Sequence, residues 1–279
     1  MRLLLPTMLC LSVLYSCQSS VNEAQDKAQL ISTEDYEIIL PKEKLKGLLI
    51  LFGGFPETPT DIRREFQIEA PSLAKGIGLL YMRFNQRLWL EQEEKEQLAQ
   101  VLEEAFQSHD IRTAKIYLGG FSSGGNIALL LTNHLLKTTS SVQPEGVFVV
   151  DAPVDLLQLY ECSQRNIESA FSDISVQESQ MIVGTFDQNF GLPKDGIDRY
   201  ELASPFTLYT KNLQNLNALG DSKVRLYTEP DTLWWKENRM NDYIDMNAYY
   251  LKKLSEALKA QLKHTNVQLI ETQDRGFRA

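Results

Sequence analysis

Short apolar runs recur along this chain, each bounded by residues that favour turns. They fall at 36–40, 48–52, 77–83, 115–119, 147–150, 224–227 and 267–270, all of strand length. The middle runs are apolar at successive positions, the pattern of strands buried on both faces. Between them apolar residues recur at helical spacing. Over 89–107 a stripe of Leu98, Val101, Leu102, Ala105 and Phe106 stands among Glu and Gln, which predicts an amphipathic surface helix. Over 126–136 nearly every position is apolar, which predicts a buried helix. A third helical pattern covers 242–262, with Leu251, Leu254, Leu258 and Leu262 on one face. Strands alternating with helices predict an α/β fold built on a doubly wound, mostly parallel sheet. From 156 to about 199 the rhythm breaks, and Phe171, Phe186 and Phe190 lie scattered among Ser, Gln and Asp. An insertion of this length is expected to be a lid or a binding loop, the alternative being a surface excursion without function.

The N-terminal residues do not share this pattern. Arg2 is followed by a mostly apolar stretch over 3–15, broken by Pro6 and too short to span a bilayer. Then Leu14-Tyr15-Ser16-Cys17 resembles a bacterial lipobox, in which the cysteine after a small residue is lipidated and becomes the first residue of the mature protein. Residues 1–17 are therefore expected to be a lipoprotein signal peptide, with lipid on Cys17 anchoring the protein to a membrane of the cell envelope. An ordinary cleaved secretory signal is the alternative. The polar stretch 18–33 reads as a tether, which leaves 34–279 as the α/β domain.

Composition narrows the partners. A chain of 279 residues that is 43% hydrophobic can bury a large core. Its formal charge of −9 argues against non-specific binding to nucleic acid or to anionic membrane surfaces. Cys10 would leave with the signal and Cys17 would carry lipid, so Cys162 would remain alone, without a disulfide framework. No paired-cysteine spacing points to a metal, and neither a metal nor a cofactor is expected. Cys162 lies in a polar stretch without an obvious basic neighbour and reads as an inert thiol.

The chemistry gathers at Gly119-Gly120-Phe121-Ser122-Ser123-Gly124-Gly125-Asn126, between an apolar strand and the apolar helix. Gly120 to Gly124 fits G-x-S-x-G. Small residues there permit a sharp turn that strains the serine backbone and presents its oxygen above the sheet edge, at a helix N-terminus. At that position the helix dipole and free backbone N–H groups favour developing negative charge. Ser122 is thus the candidate nucleophile. Ser123 lacks glycines at the matching offsets. A glycine-rich loop that binds phosphate is the alternative reading.

With these residues in view, the chain resembles the α/β-hydrolase superfamily over almost everything after the tether. The strand 48–52 ending in Gly53-Gly54-Phe55 is similar to that family's oxyanion loop. The resemblance implies an oxyanion hole made by the amide of Gly54 or Phe55 together with that of Ser123. It places the elbow at Ser122 and a lid in the insertion after the strand ending at Val150. It places the triad acid at Asp231, in Tyr227-Thr228-Glu229-Pro230-Asp231, with Glu229 and Asp151 as rivals. Such an acid would hold a histidine in the productive tautomer. One of Trp234 and Trp235 is expected at the pocket mouth. The implied activity is hydrolysis of a small-molecule ester or a peptide bond by acyl transfer to Ser122.

The base is missing. The family places its histidine after the last strand, where this chain has Glu271-Thr272-Gln273-Asp274-Arg275-Gly276-Phe277-Arg278-Ala279. His134 lies twelve residues beyond Ser122, about 18 Å along a helix. His109 and His264 precede strands and are expected at the opposite edge of the sheet. The covering helix that should follow the last strand is missing as well, and losing both together favours a chain that stops short over a catalytically dead relative. The leading expectation is a lipid-anchored serine hydrolase, inactive in this form. A binding protein that uses the same cleft without turnover is the alternative.

Overall fold

A computed structural model describes residues 28–273 apart from 85, 113, 114 and 264. The expected signal peptide, the lipidation site Cys17, His264 and 274–279 lie outside the described residues. Eight strands form one sheet in the order β1-β2-β4-β3-β5-β6-β7-β8. They are β1 (Ala28–Ser32), β2 (Tyr36–Pro41), β3 (Gly47–Phe52), β4 (Ile77–Met82), β5 (Lys115–Phe121), β6 (Gly146–Val150), β7 (Lys223–Thr228) and β8 (Val267–Glu271). β1 and β2 run antiparallel at one edge, and the six strands from β4 to β8 are parallel. All seven sequence-predicted strands are present. β1 occupies residues expected to be tether.

The nine described α-helices are α1 (Pro59–Glu65), α2 (Glu69–Ala74), α3 (Gln92–Ser108), α4 (Ser123–Lys137), α5 (Leu156–Ser169), α6 (Asp173–Asn189), α7 (Asp198–Ala203), α8 (Thr232–Arg239) and α9 (Asn247–Gln261). α3 begins at Gln92 rather than 89 because Glu91 and Glu94 close a capping box there. A 3₁₀ turn at Tyr243–Asp245 takes the place of the expected first turn of α9.

α3, α4 and α9 cover one face of the sheet. The main core lies between them, built from Leu48, Ile50, Phe52, Leu118, Val147, Val149 and Leu226 against Leu102, Leu129, Leu251 and Leu254. The opposite face carries α1 and α2, which bury Ile39, Leu51, Leu79 and Tyr81 with Ile62. Over β5 to β8 that second face bears no helix among the described residues. Phe148, Val150 and Tyr227 are half-buried there, along an apolar groove of about 530 Å³.

The insertion after β6 is helical, where the sequence suggested irregular chain. α5 and α6 pack on each other and on α7 around Tyr160, Ile182, Phe186, Phe190 and Tyr200. Trp89, from the loop after β4, enters that cluster, its ring 4.6 Å from Phe190 and 6.0 Å from Phe186. The insertion thus has its own small core, which Trp89 joins to the body, and hydrogen bonds of Arg165 to Asp245, Tyr250 to Gln158 and Arg239 to Ser175 add to the join.

Candidate active site

Register brings the candidate residues to one edge. Phe52 pairs with Gly120, Phe121 with Val150, Val150 with Tyr227 and Thr228 with Glu271. The loops after β3, β5, β6 and β7 therefore all leave the C-terminal edge of neighbouring parallel strands, the usual place for a site in such sheets.

Ser122 sits between β5 and α4 with φ 52° and ψ −128°. Non-glycine residues rarely adopt this conformation, and where it persists the surroundings over-determine it. Here the Ser122 amide donates to the Val150 carbonyl at 2.9 Å, and its own carbonyl accepts from Gly125 N–H at 2.9 Å. The glycines allow the close approach. A Cβ on Gly120 would stand 2.2 Å from the Gly124 carbonyl carbon, and one on Gly124 would stand 2.4 Å from the Phe52 carbonyl oxygen. A Cβ on Gly125 would meet Ala152 and Val149 at 2.7 Å. Asn126, fully buried one residue further on, donates to the Pro153 carbonyl at 2.9 Å and so ties α4 to the loop after β6.

The loop after β3 lies against this corner. A Cβ built on Gly54 would be 3.3 Å from Ser122 Cβ. Both of the amides offered as the loop's contribution to the oxyanion hole, Gly54 and Phe55, already have partners. Gly54 N–H donates to Glu57 Oε2 at 2.6 Å, and Phe55 N–H donates to Ser123 Oγ at 2.8 Å. The Ser123 amide opens α4, where first-turn N–H groups have no partner within the helix. Burial pushes the Glu57 carboxyl above the usual carboxylate range, against the Gly54 N–H that favours its charged form. Glu57 was not singled out from the sequence. Its part depends on the chain folding back three residues, and only its place after a Gly-Gly pair at a strand end could have drawn notice.

Asp151, Glu229 and Asp231 gather at the ends of β6 and β7. Asp231 caps α8, its Oδ1 accepting from Trp234 N–H at 3.0 Å. Glu229 Oε2 accepts from the Thr272 hydroxyl at 2.9 Å, and Asp151 Oδ1 accepts from the Thr228 hydroxyl at 2.9 Å. Asp151 follows the residue whose carbonyl holds the Ser122 amide, has φ 46°, and takes Asn247 Nδ2 on its own carbonyl. Trp235 lines a polar cavity of about 130 Å³ under α5 and α6, with Asp151, Cys162, Asn166 and Asn241, while Trp234 packs edge-on against it. Burial, reinforced by Asp245, pushes the Cys162 thiol up to about 11, far from a reactive thiolate.

Neither described histidine is brought to Ser122. His109 Nε2 is 3.0 Å from the Tyr36 hydroxyl, with the two rings edge to face. His134 lies in the last turn of α4, where burial and Lys95 hold it below the usual imidazole range. Among the described residues no group of His, Cys, Asp and Glu is arranged to hold a metal ion, and no helix is long and apolar enough to cross a membrane.

No protein-family model matches the chain, and no curated protein matches it. Solved structures do. An esterase of the bacterial hormone-sensitive lipase family is similar over 89% of this chain and 75% of its own, with TM-score 0.58 and 14% identity. Carboxyl esterase 2 from the mycorrhizal fungus Tuber melanosporum is similar over 88% and 76%, with TM-score 0.57 and 13% identity. A mutant of the esterase E40 is similar over 94% and 84%, with TM-score 0.56 and 14% identity. Likeness at these identities is likeness of fold, and the strand order and elbow agree with it: the chain has the α/β-hydrolase fold.

Proposed function

We propose that this protein is a serine hydrolase that cleaves a small-molecule ester by acyl transfer to Ser122, with a peptide bond as the related substrate of the same chemistry. The backbone of Ser122 carries the reading. A serine held at φ 52° between glycines, at the mouth of a helix, is a strained arrangement that an ordinary connection does not need. Fold alone does not define an activity, so the esterase neighbours support only the choice of bond. The half-exposed rings of Phe55 and Phe121 beside the corner offer apolar surface to such an ester.

In the reaction Ser122 Oγ bonds to the ester carbonyl carbon and its proton passes to a base. The carbonyl oxygen becomes an anion at the start of α4, and the alcohol leaves as the acyl-enzyme forms. Water then releases the acid and frees Ser122. Asp231 is the proposed partner of the base, with Asp151 and Glu229 as rivals. The described residues supply no histidine to Ser122, so this chain is proposed to be nearly inert alone. Serine hydrolases lacking one triad member retain only roughly 10³ to 10⁴-fold over water.

The test is labelling of Ser122 by a fluorophosphonate with and without added imidazole, read by mass spectrometry. Labelling is expected to be near background in buffer, to rise several-fold with imidazole, and to vanish in Ser122→Ala. Indifference to imidazole would refute a poised nucleophile and favour a second reading, a ligand-binding protein without turnover. The amides of Gly54 and Phe55, already engaged by Glu57 and Ser123, are the observation on that side.

The lipobox-like Cys17 supports a lipid-anchored place in the bacterial cell envelope. Cys17→Ser is then expected to move the protein from the membrane to the soluble fraction. Unchanged fractionation would count against the anchor.

A further inference from the structure

We propose that the Glu57 carboxylate is a built-in occupant of the oxyanion position, a plug that any anionic ligand or intermediate at Ser122 must displace. The proposal rests on reading the Ser122 corner as the acyl-transfer site. Its first support is the 2.6 Å bond from Gly54 N–H to Glu57 Oε2. The carboxylate oxygen and the serine flank one point in space: a Cβ placed on Gly54 would be 3.5 Å from Glu57 Oε2 and 3.3 Å from Ser122 Cβ. A charged oxygen on an amide at this place imitates the oxyanion of a tetrahedral intermediate.

The second support is that the loop is shaped to receive this side chain. A Cβ on Gly53 would stand 2.9 Å from both Glu57 Cβ and Glu57 Oε2, so any larger residue there would drive the carboxylate away. Glu57 N–H donates to the Gly54 carbonyl at 2.6 Å, closing the turn from the other side. Thr58 then caps α1 through a reciprocal pair with Asp61 and fixes the backbone just after Glu57. Of the charged groups on α1 that act on Glu57, Asp61 and Glu65 oppose its ionisation and Arg64 favours it. The remaining amide, Phe55 N–H, is held by Ser123 Oγ, a neutral hydroxyl that an anion displaces more easily than it displaces a carboxylate of its own sign.

A plug makes a prediction about anion binding that does not require turnover. In the full chain, the Gly54 amide resonance would be followed by NMR during titration with sodium formate, against sodium chloride as the salt control. Formate should leave the wild-type resonance unmoved. In Glu57→Ala it should produce a saturable shift, because a free carboxylate then takes the vacated amide. Glu57→Gln keeps the shape but loses the charge, and should show a saturable shift where wild type shows none, at several-fold more formate than the alanine variant needs. That variant decides the question if the alanine variant does not fold. Equal response in wild type and variants, or no response in either variant, would overturn the plug. Repeating the titration in Ser122→Ala with Glu57→Ala separates the two readings. Formate should still bind there, since its donors are backbone amides, whatever imidazole-assisted labelling says about Ser122.

Discussion

Ser122 and Glu57 differ in how openly the sequence announces them. Ser122 is flanked by glycines at fixed offsets between two strongly patterned apolar segments, so its corner can be read from local spacing alone. Glu57 acquires its partner only when the chain reverses after β3, and an acidic residue in a loop carries no such mark. The conformation at Ser122 also sets a measurable quantity. A non-glycine residue in this region stores roughly 1–3 kcal/mol, while glycine adopts it freely at an added entropic penalty of about 0.5–1 kcal/mol. Ser122→Gly should therefore stabilise the fold by about 1 kcal/mol, read from the urea midpoint, while Ser122→Ala, which keeps the Cβ, should change it little. A glycine variant less stable than the alanine variant would show that the backbone there is not strained.

At the scale of elements, legibility followed the continuity of the apolar pattern. β3 is apolar throughout and α4 carries the run Ile127 to Leu131, and both were visible. The helices of the insertion were not, because serine interrupts their buried stripes. α5 buries Leu156, Leu157, Tyr160 and Ser163, and α6 buries Ser175, Ser179, Ile182 and Phe186. Buried serine packs as a small residue yet reads as polar. β1 was hidden for another reason: it is a short edge strand whose Leu30 is 51% exposed, so it lacks a buried alternation. The junction of β3, β5 and α4 depends on contacts between backbones rather than side chains. Gly124→Ala would put a methyl 2.4 Å from the Phe52 carbonyl oxygen and 2.5 Å from that of Gly53, atoms that cannot swing aside. The expected loss is about 2–3 kcal/mol, at the upper end of overpacking, because a strand end or the helix must move. Calorimetry would check it, and a melting temperature within a degree of wild type would mean that α4 can slide without penalty.

At the scale of the whole sheet, its two faces are treated unequally by the described residues. One is sealed by α3, α4 and α9, while on the other α1 and α2 stop short of β5 to β8. Parallel strands are ordinarily covered on both sides, and the sequence wrote these strands for burial on both sides. The resulting groove runs past Leu49, Phe66, Tyr117, Phe148, Val150 and Tyr227, with Lys223 and Arg225 at its rim. Lys223 is drawn to Glu145 and the Tyr117 hydroxyl, each at 2.9 Å, and lies over the Tyr117 ring, so the apolar surface is chiefly Phe148, Val150 and Tyr227. An apolar surface of this continuity binds apolar dyes and drives self-association. The described chain should therefore enhance the fluorescence of anilinonaphthalene sulfonate while fully folded, and scatter more light as concentration rises. Tyr227→Lys places a charge on the apolar lining of the groove, beside Val150, and should reduce both signals. Leu233→Lys, at a position 67% exposed on α8 away from the groove, should leave them unchanged. Equal effects from the two substitutions would locate the dye elsewhere. No dye binding by the folded protein would mean that the face is covered in solution, and the uncovered strands could no longer account for any aggregation.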